Sequence, residues 1–168
     1  MSAYLVLVAA VAVERVAELV VTKRNLAWAL ARGGRETGFG HYPAMVALHT
    51  GLLVGAVAEV LVASRPFQPG LGWPMLAVVL GAQGLRWWCI STLGPQWNTR
   101  IVVVPGSGLV SGGPYRWLRH PNYVAVVVEG FALPLVHSAW VTAAVFTVVN
   151  AALLSVRIRA ENRALADA

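Results

Sequence analysis

The sequence predicts an all-α integral membrane protein with five transmembrane helices, and three observations carry that reading. Of its 168 residues 58% are hydrophobic and only 12% charged, whereas a soluble domain carries about twice that charged share. Mean hydropathy is +0.66, and the apolar residues come in long runs rather than in the stripes of amphipathic helices. Polar, proline-rich and arginine-rich segments separate those runs.

Residues 2–21 form the first expected span, stopped by Thr22-Lys23-Arg24-Asn25. It reads as a span rather than a signal peptide, because it carries acids in place of a basic leader and no small-residue cleavage site follows. Gly33-Gly34 and Gly38-Phe39-Gly40 break the loop after it. Residues 43–62 form the second span, with Pro43 near the helix start, where its missing N–H costs nothing. The turn Arg65-Pro66-Phe67-Gln68-Pro69-Gly70 leads to a third span over residues 73–93, with Trp73 and the Trp87-Trp88 pair as interfacial anchors. Residues 94–121 are polar, and their Ile101-Val102-Val103-Val104 run is too short to cross a membrane.

The stretch 123–156 would make one helix of roughly 50 Å, too long for a single ordinary span. Pro134 and the His137-Ser138 break divide it into a short helical hairpin, spans 123–136 and 139–156, followed by a polar helical tail. The whole chain reads as one domain. Five spans place ten of the thirteen lysines and arginines on one side, with the 22–42 loop, the 94–121 segment and the tail. The positive-inside bias then puts the N-terminus outside and the C-terminus in the cytoplasm. The net charge of +6 is accounted for by this anchoring, so no nucleic-acid partner is expected.

Several polar residues fall inside the spans. Glu14, Arg15, Glu18, His49, Arg86 and Glu129 should face the bundle interior and find partners. Glu14 and Glu18 share a helix face and could meet Arg86 or Arg15, as a structural ion-pair cluster or as catalytic groups. Glu59 reads as a solvated residue near the outer interface. His41 and His49 would lie about 12 Å apart on one continuous helix, too far to share a metal ion. With a single cysteine, Cys89, and no HExxH pattern, no metal is expected. No dinucleotide fingerprint after a strand, P-loop or nucleophile elbow appears.

The most telling segment is Gly113-Pro114-Tyr115-Arg116-Trp117-Leu118-Arg119-His120-Pro121-Asn122-Tyr123. It packs arginine, histidine and tyrosine between apolar runs, where a water-soluble ligand and a lipid can meet. Its residue types fit the sulfonium methyl donor that the family resemblance given next implies. The faces of Tyr115, Tyr123 or Trp97 attract a cation, Arg116, Arg119 or His120 suit a carboxylate, and Glu161 offers an acceptor for ribose or adenine. An acceptor already ionised needs only a positive neighbour, whereas a resorcinol hydroxyl needs a base, for which Glu18 or His49 could serve.

In the order Gly94-Pro95-Gln96-Trp97-Asn98-Thr99-Arg100, Pro105-Gly106, Leu109-Val110, Gly113-Pro114-Tyr115-Arg116 and Arg119-His120-Pro121-Asn122-Tyr123, closed by Arg157-Ile158-Arg159-Ala160-Glu161, the chain resembles the isoprenylcysteine carboxyl methyltransferase family. The resemblance is strong from about Trp87 to Arg163. Glu14, Glu18, Arg24-Asn25, Gly38 and His41-Tyr42-Pro43 resemble a bacterial branch that methylates alkylpyrones and alkylresorcinols. The resemblance implies an S-adenosylmethionine pocket on the cytosolic side, formed by the loop before the fourth helix and the C-terminal tail. It implies that His120, Tyr123, Arg119 and Tyr115, the loop from Leu109 and Val110 to Gly113, and Glu161 hold the cofactor. Arg157 would lie near a lipophilic methyl acceptor drawn from the bilayer.

Two departures weigh against prenylcysteine as that acceptor. Glu161-Asn162 stands where the family has paired acids, and an aromatic tail after Arg163 is lacking. Carboxyl methylation of a prenylated cysteine or similar lipid is one alternative. An NADPH-dependent sterol or lipid reductase, whose C-terminal signature is similar, and a non-enzymatic lipid-binding protein are the others. A nicotinamide-dependent absorbance change would mark the reductase, and full function after charge swaps among the intramembrane groups would mark the binding protein.

Overall fold

The computed structural model describes residues 1–37 and 39–166, so Gly38 lies outside the described residues. Five α-helices account for most of the chain: α1 (Ser2–Leu30), α2 (Tyr42–Val62), α3 (Pro69–Leu93), α4 (Pro121–Leu135) and α5 (Trp140–Ala166). Two three-residue strands, β1 (Arg35–Thr37) and β2 (Ile101–Val103), pair antiparallel with Glu36 opposite Val102. The short apolar run around Ile101 is therefore a strand, which ties the first loop to the third.

Helix α1 continues nine residues past Val21, the expected end of the first span, to Leu30. Lysine and arginine mark where a helix leaves lipid, but they are good helix formers and do not stop it. Glycine does. Gly33 adopts φ +75°, and the Gly34 N–H donates to the Ala29 carbonyl at 2.9 Å, a left-handed cap. A Cβ on Gly34 would lie 2.7 Å from that same carbonyl oxygen, so no other residue fits there.

Helix α3 begins at Pro69, four residues before the expected Trp73. Helix α5 carries the polar tail as an unbroken continuation of the apolar segment. Helix α4 has 15 residues, about 22 Å at the standard rise, and is shorter than a bilayer core of about 30 Å. Three helical stretches, Tyr42–Val62, Pro69–Gln96 and Trp140–Ala166, are long and apolar enough to cross a membrane. Helix α1 has the length but carries Glu14, Arg15 and Glu18 at mid-helix.

Between α4 and α5 the chain turns through Ser138 at φ +59°. The two helices then pack so closely that a Cβ on Gly130 would run into the Phe146 ring. At this end of the bundle the Tyr4 hydroxyl donates to the Leu133 carbonyl at 3.2 Å. Glu59 accepts from the backbone N–H groups of Val141 (3.1 Å) and Thr142 (2.7 Å) and pairs with Arg65 at 2.9 Å. Glu59 is thus not merely solvated. It caps α5, because the first N–H groups of a helix have no partner of their own and attract a carboxylate.

At the opposite end, the Asn25 amide donates to the carbonyls of Gly94 (3.1 Å) and Trp97 (2.7 Å), and Thr22 Oγ1 accepts from the Thr99 N–H at 3.2 Å. This loop end gathers residues 94–121 and the C-terminal turns of α5 around one opening.

Candidate functional site

Two cavities share a wall at the loop end. The larger, about 900 Å³, is lined by the 93–111 loop, by Tyr115, Arg119, His120, Asn122 and Tyr123, and by Arg157, Glu161 and Asn162 of α5. The smaller, about 180 Å³, lies deeper among the helices between Leu19, Val46, Leu53, Val126, Leu153 and Leu154. Trp97, Asn122, Tyr123 and Arg157 line both.

Helix α4 brings Tyr123 into this wall because His120 and Pro121 open the helix and aim its first turn at α5. The Tyr123 hydroxyl donates to a Glu161 carboxylate oxygen and accepts from Arg157 Nε at 2.8 Å. Arg157 is buried in α5, with Nη1 2.9 Å from the Met45 sulfur and Nη2 on the Thr99 carbonyl. Since Arg157 and Glu161 are four apart, one face of α5 carries both. The His120 ring stacks on Tyr123 at 5.4 Å between centroids. Its Nε2 lies 3.2 Å from Asn162 Oδ1, and its Nδ1 lies 3.8 Å from Glu161.

The wall is not saturated. Trp97 is 2% exposed, yet its indole N–H has no partner, and neither does the buried Asn122 Oδ1. Buried polar atoms are nearly always paired, so two orphans in one cavity wall point to a ligand. Burial pushes the Tyr115 phenol well above its ordinary range and keeps it a neutral donor. Burial, then the Arg157 guanidinium, push His41 below the usual imidazole value, so it stays uncharged near neutrality.

Of the residues that the sequence singled out, Leu109, Val110, Tyr115, Arg119, His120, Tyr123 and Glu161 line the larger cavity. Glu18, His49 and Arg157 line the smaller. Gly113 lines neither. With φ +51° it lets the loop lie on Thr92 and the Trp88 indole nitrogen, 3.0 Å from where a Cβ would sit.

Charged residues of α1, α3 and α4 form one cluster. Arg86 Nη2 meets Glu129 at 2.5 Å, and its Nε lies 3.5 Å from Glu18. Arg15 bridges Glu18 and Glu129, both at 2.8 Å, while Glu14 accepts from the Trp87 indole at 2.5 Å. Sequence reasoning proposed partners among Glu14, Glu18, Arg15 and Arg86 but did not connect Glu129, which sits on a different helix. Asn150 was also missed. Its signal was available, since it is a buried amide in an apolar run, seven residues and two turns before Arg157.

A helical bundle in which a mainly apolar cavity adjoins a larger, more polar one across a wall of Trp97, Asn122, Tyr123 and Arg157 fits a membrane protein with two adjoining small-molecule sites. The family model described as the isoprenylcysteine carboxyl methyltransferase (ICMT) family matches residues 75–167, and the chain belongs to that family of membrane methyltransferases. The match starts within α3 and takes in the whole larger cavity apart from Ala29. The chain is also 43% identical over 162 residues to Uncharacterized protein YpbQ of Bacillus subtilis (strain 168), across 96% of this chain and 95% of that protein. No solved structure matches it significantly.

Methyltransferases of this family use S-adenosylmethionine in general, and the residues present fit such a group. The larger cavity falls within the range of small-molecule sites, offers aromatic faces to a sulfonium, and holds the orphaned Trp97 N–H and Asn122 oxygen at its inner wall. Among the described residues no group of three or more His, Cys, Asp and Glu side chains could hold a metal ion.

Proposed function

We propose that the protein is a membrane-embedded S-adenosylmethionine-dependent O-methyltransferase acting on a lipophilic acceptor such as an alkylpyrone or alkylresorcinol. The single observation that carries the proposal is the shared wall of Trp97, Asn122, Tyr123 and Arg157, which separates a larger, more polar cavity from a smaller, mainly apolar one. S-adenosylmethionine supplies an electrophilic methyl group. Tyr123, His120, Arg119, Tyr115, Glu161 and the loop carrying Leu109, Val110 and Gly113 bind and orient it from the polar side. Arg157 sits beside the acceptor oxygen and stabilises its negative charge. Holding acceptor and donor in line across one wall supplies much of the rate, since methyl transfer is a displacement that depends on alignment.

In this reading the whole chain is one domain with five spans, over residues 2–21, 43–62, 73–93, 123–136 and 139–156. The N-terminus faces outside, and the loop end with the C-terminus faces the cytoplasm, where the cofactor is supplied. The charges of α1 are compatible with a span because the cluster with Arg86 and Glu129 neutralises them.

The test is transfer of labelled methyl from S-adenosylmethionine into extracted host lipids, with mass identification of the product. S-adenosylhomocysteine should bind the purified protein calorimetrically. His120→Ala and Glu161→Ala should each weaken that binding without unfolding the chain. Unaltered affinity in both variants would remove the site assignment, and no binding by the parent protein would remove the function.

A further inference from the structure

We propose that His49, and not Glu18, takes a proton from the methyl acceptor, so that the acceptor reaches the site as the protonated hydroxyl of a lipid phenol rather than as a carboxylate or other oxygen already ionised. This rests on the methyltransferase reading and narrows its substrate class.

Glu18 is fully committed. Both its carboxylate oxygens lie 2.8 Å from Arg15 Nη1, and Arg86 Nε approaches at 3.5 Å. Glu129 is held by the same two guanidiniums. Glu14 adds a third carboxylate 3.9 Å from Arg15, but both Glu18 oxygens already accept from the Arg15 guanidinium, and a proton taken up there would displace that charge-assisted contact.

His49 is arranged the opposite way. Its Nδ1 lies 2.8 Å from the Met45 carbonyl oxygen. A carbonyl can only accept, so Nδ1 carries the proton and the neutral ring keeps its lone pair on Nε2. The Phe146 ring meets the imidazole edge-on, at 5.5 Å and 87°, and fixes its plane. Nε2 makes no hydrogen bond among the described residues, and it is not sealed by protein either; His49 lines the smaller cavity. The Asn150 amide, buried and likewise without a hydrogen bond, opens on the same cavity and can hold a second acceptor oxygen.

Position completes the case. His49 is one turn, about 6 Å along the axis, from Met45, whose sulfur touches Arg157 in the shared wall. The charged and titratable groups around the ring are Arg15 and Glu18 from α1, Arg86 from α3, Tyr123 and Glu129 from α4, and Arg157 from α5. Arg157 makes no salt bridge among the described residues, its contacts being the Tyr123 hydroxyl, the Met45 sulfur and the Thr99 carbonyl, so it suits an oxygen that becomes anionic.

In the step, the acceptor O–H bond breaks, its electron pair stays on oxygen, and Nε2 gains the proton. The oxygen pair forms the new O–CH₃ bond while the S–CH₃ pair stays with sulfur, so a cationic sulfonium becomes a neutral thioether. The imidazolium proton passes to water as the product leaves.

The experiment compares the parent protein with His49→Gln on a weakly acidic alkylresorcinol and on an acidic alkyl-hydroxypyrone. With the resorcinol, kcat near neutrality should fall roughly 100-fold or more, as for loss of a general base, and recover as pH rises and the phenol ionises unaided. The pyrone should be much less affected, and affinity for S-adenosylhomocysteine unchanged. Two readouts need no turnover. An alkyl-nitrophenol bound to the parent protein should show its phenolate band at lower pH than when bound to His49→Gln. Histidine ¹⁵N spectra of the parent protein should show an unprotonated Nε2 on His49, a measurement that no folding defect can blur. Equal losses on both acceptors, an Nε2–H ring, or methylation confined to carboxylate lipids would overturn the inference while leaving a methyltransferase. A parent protein that neither binds S-adenosylhomocysteine nor transfers methyl would overturn the reading beneath it.

Discussion

Two polar clusters in this molecule are built from the same kinds of side chain, and they differ in how far solvent reaches them. In the middle of the bundle, Arg15, Glu18, Arg86 and Glu129 join α1, α3 and α4 through ion pairs, and the Arg86 and Glu129 side chains are only 4% and 5% exposed. At the loop end, Tyr123, Arg157, Glu161 and His120 join α4 and α5, the His120 and Glu161 side chains are 18% and 27% exposed, and the wall beside them holds orphaned polar atoms. An ionisable residue within a membrane invites a functional reading. The contrast shows that depth alone does not separate function from structure. A buried set whose charges pair with one another locks helices together, even though Arg86 Nε keeps no hydrogen bond among the described residues, and a more exposed set beside a large cavity can take a ligand.

The sharpest way to break this contrast is Arg86→Ala. It strands Glu129 and Glu18 in a low-dielectric interior, and loss of one member of a buried ionic set costs about 3–5 kcal/mol. Unfolding in a denaturing detergent, followed by circular dichroism, measures it. The paired change Arg86→Met with Glu129→Leu leaves Arg15 and Glu18 matched and should recover most of the loss. If Arg86→Ala folds normally but cannot transfer methyl, the cluster is catalytic and the contrast fails.

Glu161→Gln probes the other cluster and should behave in reverse. The amide keeps the shape but gives up the charge and one acceptor. Cofactor affinity should fall about 10- to 100-fold, roughly 1.4–2.8 kcal/mol, with the thermal midpoint nearly unmoved. Titration with S-adenosylhomocysteine beside a melting curve separates the two. A large drop in midpoint would mean that Glu161 is structural after all.

Gly113→Ala comes next. A side chain at φ +51° costs roughly 1–2 kcal/mol in the backbone, and the new Cβ would meet Thr92 and the Trp88 indole. The loop should lift from α3, so affinity at the larger cavity falls while the mid-bundle cluster stays intact. Proteolysis of the 105–119 loop would report the lifting, and unchanged protection would count against it.

How much of this was legible beforehand follows the same division. Runs of apolar residues and the Pro134 break give the helices and the hairpin, because each depends on local composition. The signature around His120 and the Arg157–Glu161 spacing point to the loop-end site, since four residues on a helix share a face. What could not be read were contacts between distant helices. Glu129 and Glu18 are 111 positions apart in the sequence, and no local pattern says that one arginine serves both. Helix α1 outruns the expected first span for a different reason. Basic residues report the lipid interface, while the helix itself ends where Gly33 permits a left-handed turn. Trp97 was a candidate for its ring face, but its indole N–H and Asn122 came forward only when their unpaired atoms were seen in a common wall.

The smallest effect belongs to a third pair, which tests whether exposure sets the scale. Arg100 Nη1 meets Glu36 at 2.8 Å across the β1–β2 ribbon, with the arginine side chain 34% exposed, and its guanidinium lies 4.6 Å from the Tyr42 ring centroid. The distance matches that of Arg15 to Glu18, so geometry alone would rank the two pairs together. Solvent should not. Water screens the exposed pair, and each long side chain gives up rotamer freedom to form it, so Glu36→Gln should cost less than about 1 kcal/mol. That cost should shrink further in high salt, because the Debye length falls to about 3 Å at 1 M. Thermal midpoints of parent and variant at low and high salt measure it directly. A loss as large as that of Arg86→Ala would mean that the ribbon, rather than the buried cluster, holds the first loop over the site.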